Sequence, residues 1–190
     1  MYTIEKIRRA LPRLRVDKHP QRHEVKRSAV VIMLREGDAC AEVLMMKRAE
    51  RDGDPWSGHM GFPGGRQEPG DASTFATAAR EVHEEMGFDV EAVADTPVRL
   101  SDIRATGRGR VLPLVVTPYL MFAHSDIHVV PNEEVAESMW IPLHFFAPGK
   151  RQSFEIVHDG QTYNMPCYFY QQYRIWGLSL RMLDELLEVL

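Results

Sequence analysis

Two cysteines are all that the chain contains. Cys40 and Cys167 stand far apart, each in an apolar neighbourhood ("DACAEVLMM", "NMPCYFY"), which excludes a disulfide framework or a cysteine zinc pattern and predicts buried free thiols. Long apolar runs are missing too, since none approaches the roughly 20 residues that a bilayer-spanning helix needs. The opening "MYTIEKIRRALPRLRVDKHP" lacks the continuous apolar core of a signal peptide, so the expected address is the cytoplasm. Nor is there a surplus of charge of one sign. With 23 Lys and Arg against 27 Asp and Glu, the net charge of -4 offers nothing to draw nucleic acid or an anionic membrane, and a partner must be met at a local site. Two histidine pairs have i,i+4 spacing, His19/His23 and His124/His128, but no third ligand of suitable type accompanies either, so zinc is not expected there.

What is present is a 44% hydrophobic chain of 190 residues, enough for one core that needs no staple. Ile4, Ile7 and Leu11 predict a short amphipathic helix stopped at Pro12, the start of a helical extension over 1–24. "SAVVIMLRE" (Ser28 to Glu36) and "CAEVLMMKR" (Cys40 to Arg48) read as a hairpin of buried strands around "GDA". After the polar "AERDGDPWSG" come a short strand in "HMGF", a "PGG" turn and a helix. Strands are predicted again in "RVLPLVVTPYLMFA" and "ESMWIPL", and "SFEIVHDGQTYNMPCYFY" reads as a hairpin turning at Asp159-Gly160. A last helix carries an apolar stripe of Leu178, Met182, Leu183, Leu186, Leu187 and Leu190. The expectation is an α/β sandwich in a single unit spanning 1–190.

The helix after "PGG" carries the chemistry. Asp71 or Ser73 can cap an Ala72 to Met86 helix, and Gly87 suits its end. At about 100° per residue, taking Glu81 as zero places Glu85 near about +40° and Glu84 near about -60°, while Phe75, Ala79, Val82 and Met86 fall on the opposite side. Three carboxylates on one face repel, and all-oxygen ligands of this kind suit a hard divalent cation, Mg²⁺ or Mn²⁺. A solvated helical face would show the same hexapeptide, "REVHEE", and the upstream glycines decide against it. Gly64 and Gly65 after Pro63 are expected to form a tight turn whose backbone approaches a ligand closely and lends it a carbonyl.

From Arg80 onward, the residues Arg80, Glu81, Val82, Glu84, Glu85, Gly87 and Phe88 match the R-E-V-x-E-E-x-G-F pattern, and with the upstream glycine the segment 64–88 resembles the Nudix box. That family comprises hydrolases of nucleoside diphosphates linked to another moiety. Gly65 to Arg80 is one residue longer than the general pattern, and the family's first glutamate falls on Asp71. This extra residue, the "FPGG" and the ending "PCYFYQQYRIWGLSLRML" are similar to the coenzyme A pyrophosphatase branch. Arg48-Ala49 fits that branch's upstream signature, whereas Asp54 stands where a basic residue is expected, and an acidic group there disfavours a polyanionic substrate.

The resemblance implies a Nudix-type α/β/α sandwich with a mixed sheet between helices. It implies Glu81 and Glu85 as principal metal ligands, Glu84 as a further ligand or catalytic partner, the Gly65 carbonyl as a main-chain ligand, and Arg80 as the arginine that orients the carboxylates. Glu134 in "PNEEVAESMW" is the candidate general base, with Glu133 beside it. Arg48, Gly64, Gly65 and His59 are expected at the substrate, with Arg104, Arg108 and Arg110 as further phosphate partners and Trp56, His59 or Tyr119 as a platform for a base. The expected partner is a small-molecule nucleoside diphosphate derivative, with no nucleic acid, no membrane and a homodimer left open. The substrate readings are coenzyme A, then ADP-ribose, NADH or an oxidised nucleoside triphosphate; the reading from another class is a module that senses a nucleotide without cleaving it.

Overall fold

The computed structural model describes residues 2–107 and 110–190. β1 (Lys26–Glu36) runs through its centre because its side chains are apolar on both faces. Ala29, Val31 and Met33 enter one buried cluster and Ile32 and Leu34 the other, so alternate residues of one strand serve two cores. β2 (Ala41–Arg48) does the same, with Leu44 and Met46 on one side and Val43 and Met45 on the other. β3 (Met60–Gly61), β4 (Gly64–Arg66), β5 (Val98–Arg99), β6 (Ile103–Gly107), β7 (Arg110–Phe122) and β8 (Val135–Pro142) complete an eight-stranded mixed sheet. β1 and β7 are parallel, and the remaining pairs are antiparallel.

One face of the sheet is covered by α2 (Thr74–Met86), whose Ala78, Val82 and Met86 are fully buried. Beside it is the one-turn α3 (Val90–Val93). On the other face lie α1 (Ile4–Ala10), through Ile7, and α4 (Gly177–Leu187), through Leu180, Met182, Leu183 and Leu186. A second sheet of β9 (Gln152–His158), β10 (Gln161–Tyr170) and β11 (Tyr173–Trp176) contributes Tyr168, Tyr173 and Ile175 to that same core. The β9–β10 turn is at Asp159-Gly160 as expected, with φ of 50° and 75°, the two left-handed residues of a tight hairpin.

Several boundaries differ from the sequence reading. The 1–24 extension is helical only over Ile4–Ala10 and a 3₁₀ turn at Leu11–Arg13. Pro12 ends the regular helix, and the residues after it are tied down at Asp102, whose side chain is fully buried: it accepts from the His19 N–H at 2.9 Å, and the Asp102 N–H donates to the Asp17 carbonyl at 2.8 Å. The second helix begins at Thr74 rather than Ala72, because Ser73 is the cap and accepts from the Ala76 N–H at 3.0 Å. Gly87 ends it with φ 75°. "PGG" is not a free turn: Gly64–Arg66 pairs with Ser28–Val30 of β1. β5, β6 and β11 had no sequence reading, being short or broken by polar residues.

The insertion of β4 divides the partners of β1 unevenly. β1 holds nine consecutive partners on β7, from Lys26↔Leu114 to Leu34↔Phe122, but only three on β2, Leu34↔Val43 to Glu36↔Ala41. At Ser28–Val30 β1 pairs instead with β4, and the Val31 N–H donates to the Pro63 carbonyl at 2.9 Å. The β1–β2 seam is therefore opened by the "GFPGG" segment, directly beneath α2.

Candidate active site

Gly64 and Gly65 occupy that seam for two different reasons. A Cβ on Gly64, which has φ 145°, would lie 2.2 Å from the Ala29 carbonyl oxygen, so the close approach is to β1 backbone. A Cβ on Gly65 would lie 2.3 Å from the Glu81 carboxyl carbon, so this glycine makes room for the carboxylate itself. The Gly64 N–H donates to Glu85 Oε2 at 2.8 Å. The helix and the opened seam thus meet through Glu81 and Glu85.

The three glutamates are not equivalent, contrary to a uniform solvated face. Glu85 is 3% exposed, Glu81 is half-buried and Glu84 is exposed. Burial pushes the Glu85 carboxyl up to about 7; the Gly64 N–H and the Arg48 charge oppose this, while Glu81 and Glu134 add to it. Glu81 is also raised, first by burial, with the Arg80 charge and hydrogen bond opposing and Glu84 and Glu134 reinforcing. Glu134 is therefore brought within electrostatic reach of both Glu81 and Glu85. Its position follows from the docking of its loop on the end of α2, where the Val130 and Asn132 N–H groups donate to the Met86 and Glu85 carbonyls at 2.9 and 3.0 Å. Glu134 also pairs with Arg51 at 3.1 Å, while neighbouring Glu133 is exposed.

Arg80 ties the helix to the loop. Its guanidinium donates to Asp71 Oδ1 at 3.0 Å and Oδ2 at 3.2 Å, to the Arg66 carbonyl at 3.1 Å, and to Glu81 Oε1 and Glu84 Oε2 at 3.0 Å each. The Arg80 hydrogen bond holds the Asp71 carboxyl well below the usual carboxylate range. This Asp71 partnership had no signal in helical spacing, because Asp71 lies before the helix begins.

On the other side of the seam, the end of β2 and the loop after it carry Arg48, Asp54 and His59. Arg48 donates to Asp54 Oδ2 from Nε at 3.2 Å and from a terminal nitrogen at 2.9 Å, and its other terminal nitrogen lies 3.9 Å from Glu85 Oε1. Burial acts to raise Asp54, but the Trp56 N–H and Arg48 outweigh it and its pKa is lowered. The His59 ring sits 5.2 Å from that of Trp176, and burial, with the Arg174 charge, lowers its pKa. Tyr119 does not offer a face to a base: it is 8% exposed in the α2 core, with its hydroxyl 2.7 Å from that of Thr74. The half-buried Trp56 uses its indole N–H on the Thr106 carbonyl at 3.3 Å. Arg104 lies on β6, Arg110 lines a cavity of about 400 Å³ with Gly53, Pro55, Gly107, Leu112 and His158, and Arg108 lies outside the described residues.

Among the described residues, no three Asp, Glu, His or Cys side chains converge closely enough to form a metal cage. Glu84 and Glu81 are turned to Arg80 and Glu85 to the Gly64 N–H. The donor chemistry nevertheless fits a hard divalent cation, since the buried Glu85 and half-buried Glu81 carboxyls are both raised, first by burial and then by neighbouring carboxylates, a cost that a cation of high charge density would offset.

The NUDIX domain model matches residues 25–159, and the chain belongs to that family. It is 31% identical over 175 residues to Nudix hydrolase 15, mitochondrial, of Arabidopsis thaliana, an alignment covering 88% of this chain and 60% of the plant protein. It is 30% identical over 132 residues to an uncharacterized Nudix hydrolase, NudL, of Photorhabdus laumondii, covering 68% of this chain and 67% of that one. The chain thus spans well under the full length of the plant relative. Among solved structures, the NUDIX domain of Shewanella oneidensis NrtR complexed with ADP ribose superposes with a TM-score of 0.59 at 16% identity, over 85% of this chain and 86% of that one. A Caenorhabditis elegans Ap4A hydrolase superposes with a TM-score of 0.52 at 20% identity, over 63% and 82%. These likenesses establish the Nudix fold, a mixed sheet between helices. Nudix hydrolases generally use divalent metals. No helix among the described residues is long and apolar enough to cross a membrane.

Proposed function

We propose that the protein hydrolyses the diphosphate bond of a nucleoside diphosphate linked to another moiety, with Mg²⁺ or Mn²⁺ held by Glu81, Glu85 and the Gly65 carbonyl. The observation that carries this reading is a pair of carboxylates, one of them 3% exposed, set against a glycine-lined opening between two strands. A bound divalent cation neutralises diphosphate charge and acidifies a water. Glu84 completes or supports the ligand set, and Arg80 orients Glu81 and Glu84 through one hydrogen bond to each. Glu134 would take the proton from the attacking water; its loop is docked on the end of α2, and it pairs with Arg51 at 3.1 Å. Arg48 and His59, across the seam from α2, would meet the diphosphate.

Coenzyme A is the proposed substrate, on the long box, the "FPGG" segment and the "IWGL" ending. Asp54 would oppose a polyanion, but its charge is matched by Arg48. Cleavage would give 4′-phosphopantetheine and 3′,5′-ADP. ADP-ribose and NADH are the competing substrates, ADP-ribose being what the Shewanella domain holds. A reading as a sensor without turnover is disfavoured by retention of Glu81, Glu84 and Glu85. The cytoplasm is the proposed address, in keeping with two buried free thiols. The test is kcat/KM for coenzyme A, ADP-ribose and NADH under the same Mg²⁺: coenzyme A should lead by about tenfold, ~1.4 kcal/mol in transition-state binding. A smaller lead overturns the substrate while leaving the hydrolase.

A further inference from the structure

Arg48 stands between two carboxylates and bonds only one of them. Its Nε and one terminal nitrogen are spent on Asp54, while its other terminal nitrogen stops 3.9 Å from Glu85 Oε1, beyond hydrogen-bond reach. Glu85 is the deeper of the two, its side chain 3% exposed against 16% for Asp54, so the attraction unscreened by water lies towards Glu85. Asp54 is itself anchored: its Oδ1 accepts from the Trp56 N–H at 3.0 Å, leaving Oδ2 to take both Arg48 donors and so fix the guanidinium plane.

We propose that Asp54 is a positioning residue that holds Arg48 off Glu85, keeping that carboxylate open to a divalent cation while the unspent Arg48 nitrogen faces the same space for a diphosphate oxygen. The proposal rests on Glu81 and Glu85 holding a cation. Without the Asp54 charge, the guanidinium swings to Glu85, forms a buried ion pair and competes with the cation. This gives the acidic residue at position 54 a role through its neighbour rather than through substrate. The bland alternative is that Asp54 only caps the loop at Trp56.

Asp54→Asn separates the two, because the amide oxygen still accepts from the Trp56 N–H while the charge that holds Arg48 is gone. The probe is Mn²⁺ alone, its free concentration followed by electron paramagnetic resonance, with the melting temperature of each variant recorded in chelator. Expected are Mn²⁺ binding by the wild type, about tenfold or greater weakening in Asp54→Asn, binding at least as tight as wild type in Arg48→Ala, and recovery to the Arg48→Ala level in the double variant. Unchanged binding in folded Asp54→Asn overturns the inference alone. So does weakening that Arg48→Ala fails to relieve, which assigns Asp54 to loop support. If the wild type itself binds no Mn²⁺, the cation reading falls and takes this inference with it.

Discussion

The two edges of β1 show how one strand serves both as scaffold and as opening. Along β7 it keeps nine consecutive parallel partners, and Ala29, Val31, Ile32, Met33 and Leu34 of this stretch are fully buried. Along β2 it keeps three, and the vacated edge is taken by β4, which brings Gly64 and Gly65 under Glu85 and Glu81. The closed edge is held by repeated apolar burial that no single residue dominates. The open edge depends on particular atoms, two missing Cβ groups and two carboxylates that would be cheaper in water.

The comparison is broken most severely at Glu85. Glu85→Gln should cut turnover about a thousandfold, ~4 kcal/mol of transition-state stabilisation, while leaving the far-ultraviolet circular dichroism spectrum unchanged. Steady-state rates on the best substrate check this, and turnover within tenfold of wild type would return Glu85 to a structural role.

The two glycines sharpen it next, because they should fail in opposite ways. Gly64→Ala meets β1 backbone, which cannot yield, and should cost about 3 kcal/mol of stability in urea unfolding. Gly65→Ala meets a side chain that can turn aside, so it should cost under about 1 kcal/mol of stability yet lower kcat roughly a hundredfold by displacing Glu81. Parallel losses at both positions would show that the open edge is only another piece of sheet.

The pH dependence of stability isolates the cost of the buried carboxylate. The folded Glu85 carboxyl is raised from 4.5 to about 7, so between those values the unfolded chain has released a proton that the fold keeps. Stability of the metal-free protein should therefore fall as pH rises from about 4.5 to 7, by on the order of 3 kcal/mol from this group. Glu85→Gln should flatten that slope in melts taken across the range. The smallest effect belongs to Arg51→Ala, whose partner Glu134 is 40% exposed: stability should change by less than about 1 kcal/mol, while any loss in kcat reports on the orientation of Glu134.

Much of this was legible in the sequence because it is local. β1, β2 and β7 are apolar runs, α2 has a serine cap and a glycine stop, and the β9–β10 turn is an Asp-Gly pair, so each carries its signal within a few residues. The carboxylate cluster on α2 was legible for the same reason, through helical spacing. The unequal burial of Glu81, Glu84 and Glu85 was not, since it depends on where β4 inserts, and "PGG" reads as a turn until β1 is seen to need a partner there. The Arg48–Asp54 fork, the Arg80–Asp71 pair and the docking of Val130 and Asn132 on α2 each join a loop to a strand or helix, with no period to betray them. Tyr119 misled because a polar aromatic near a site looks accessible, whereas a tertiary hydroxyl partner, Thr74, let it be buried.

The most direct test is product analysis of a nucleoside diphosphate derivative incubated with the protein and Mg²⁺, with and without excess chelator. Cleavage at the diphosphate into two phosphate-bearing products, lost in chelator and restored when Mg²⁺ is returned, is the predicted result. Cleavage that persists in chelator, or none across coenzyme A, ADP-ribose and NADH with Mg²⁺ present, would contradict the assignment of the opened β1–β2 seam as a metal-dependent hydrolytic site.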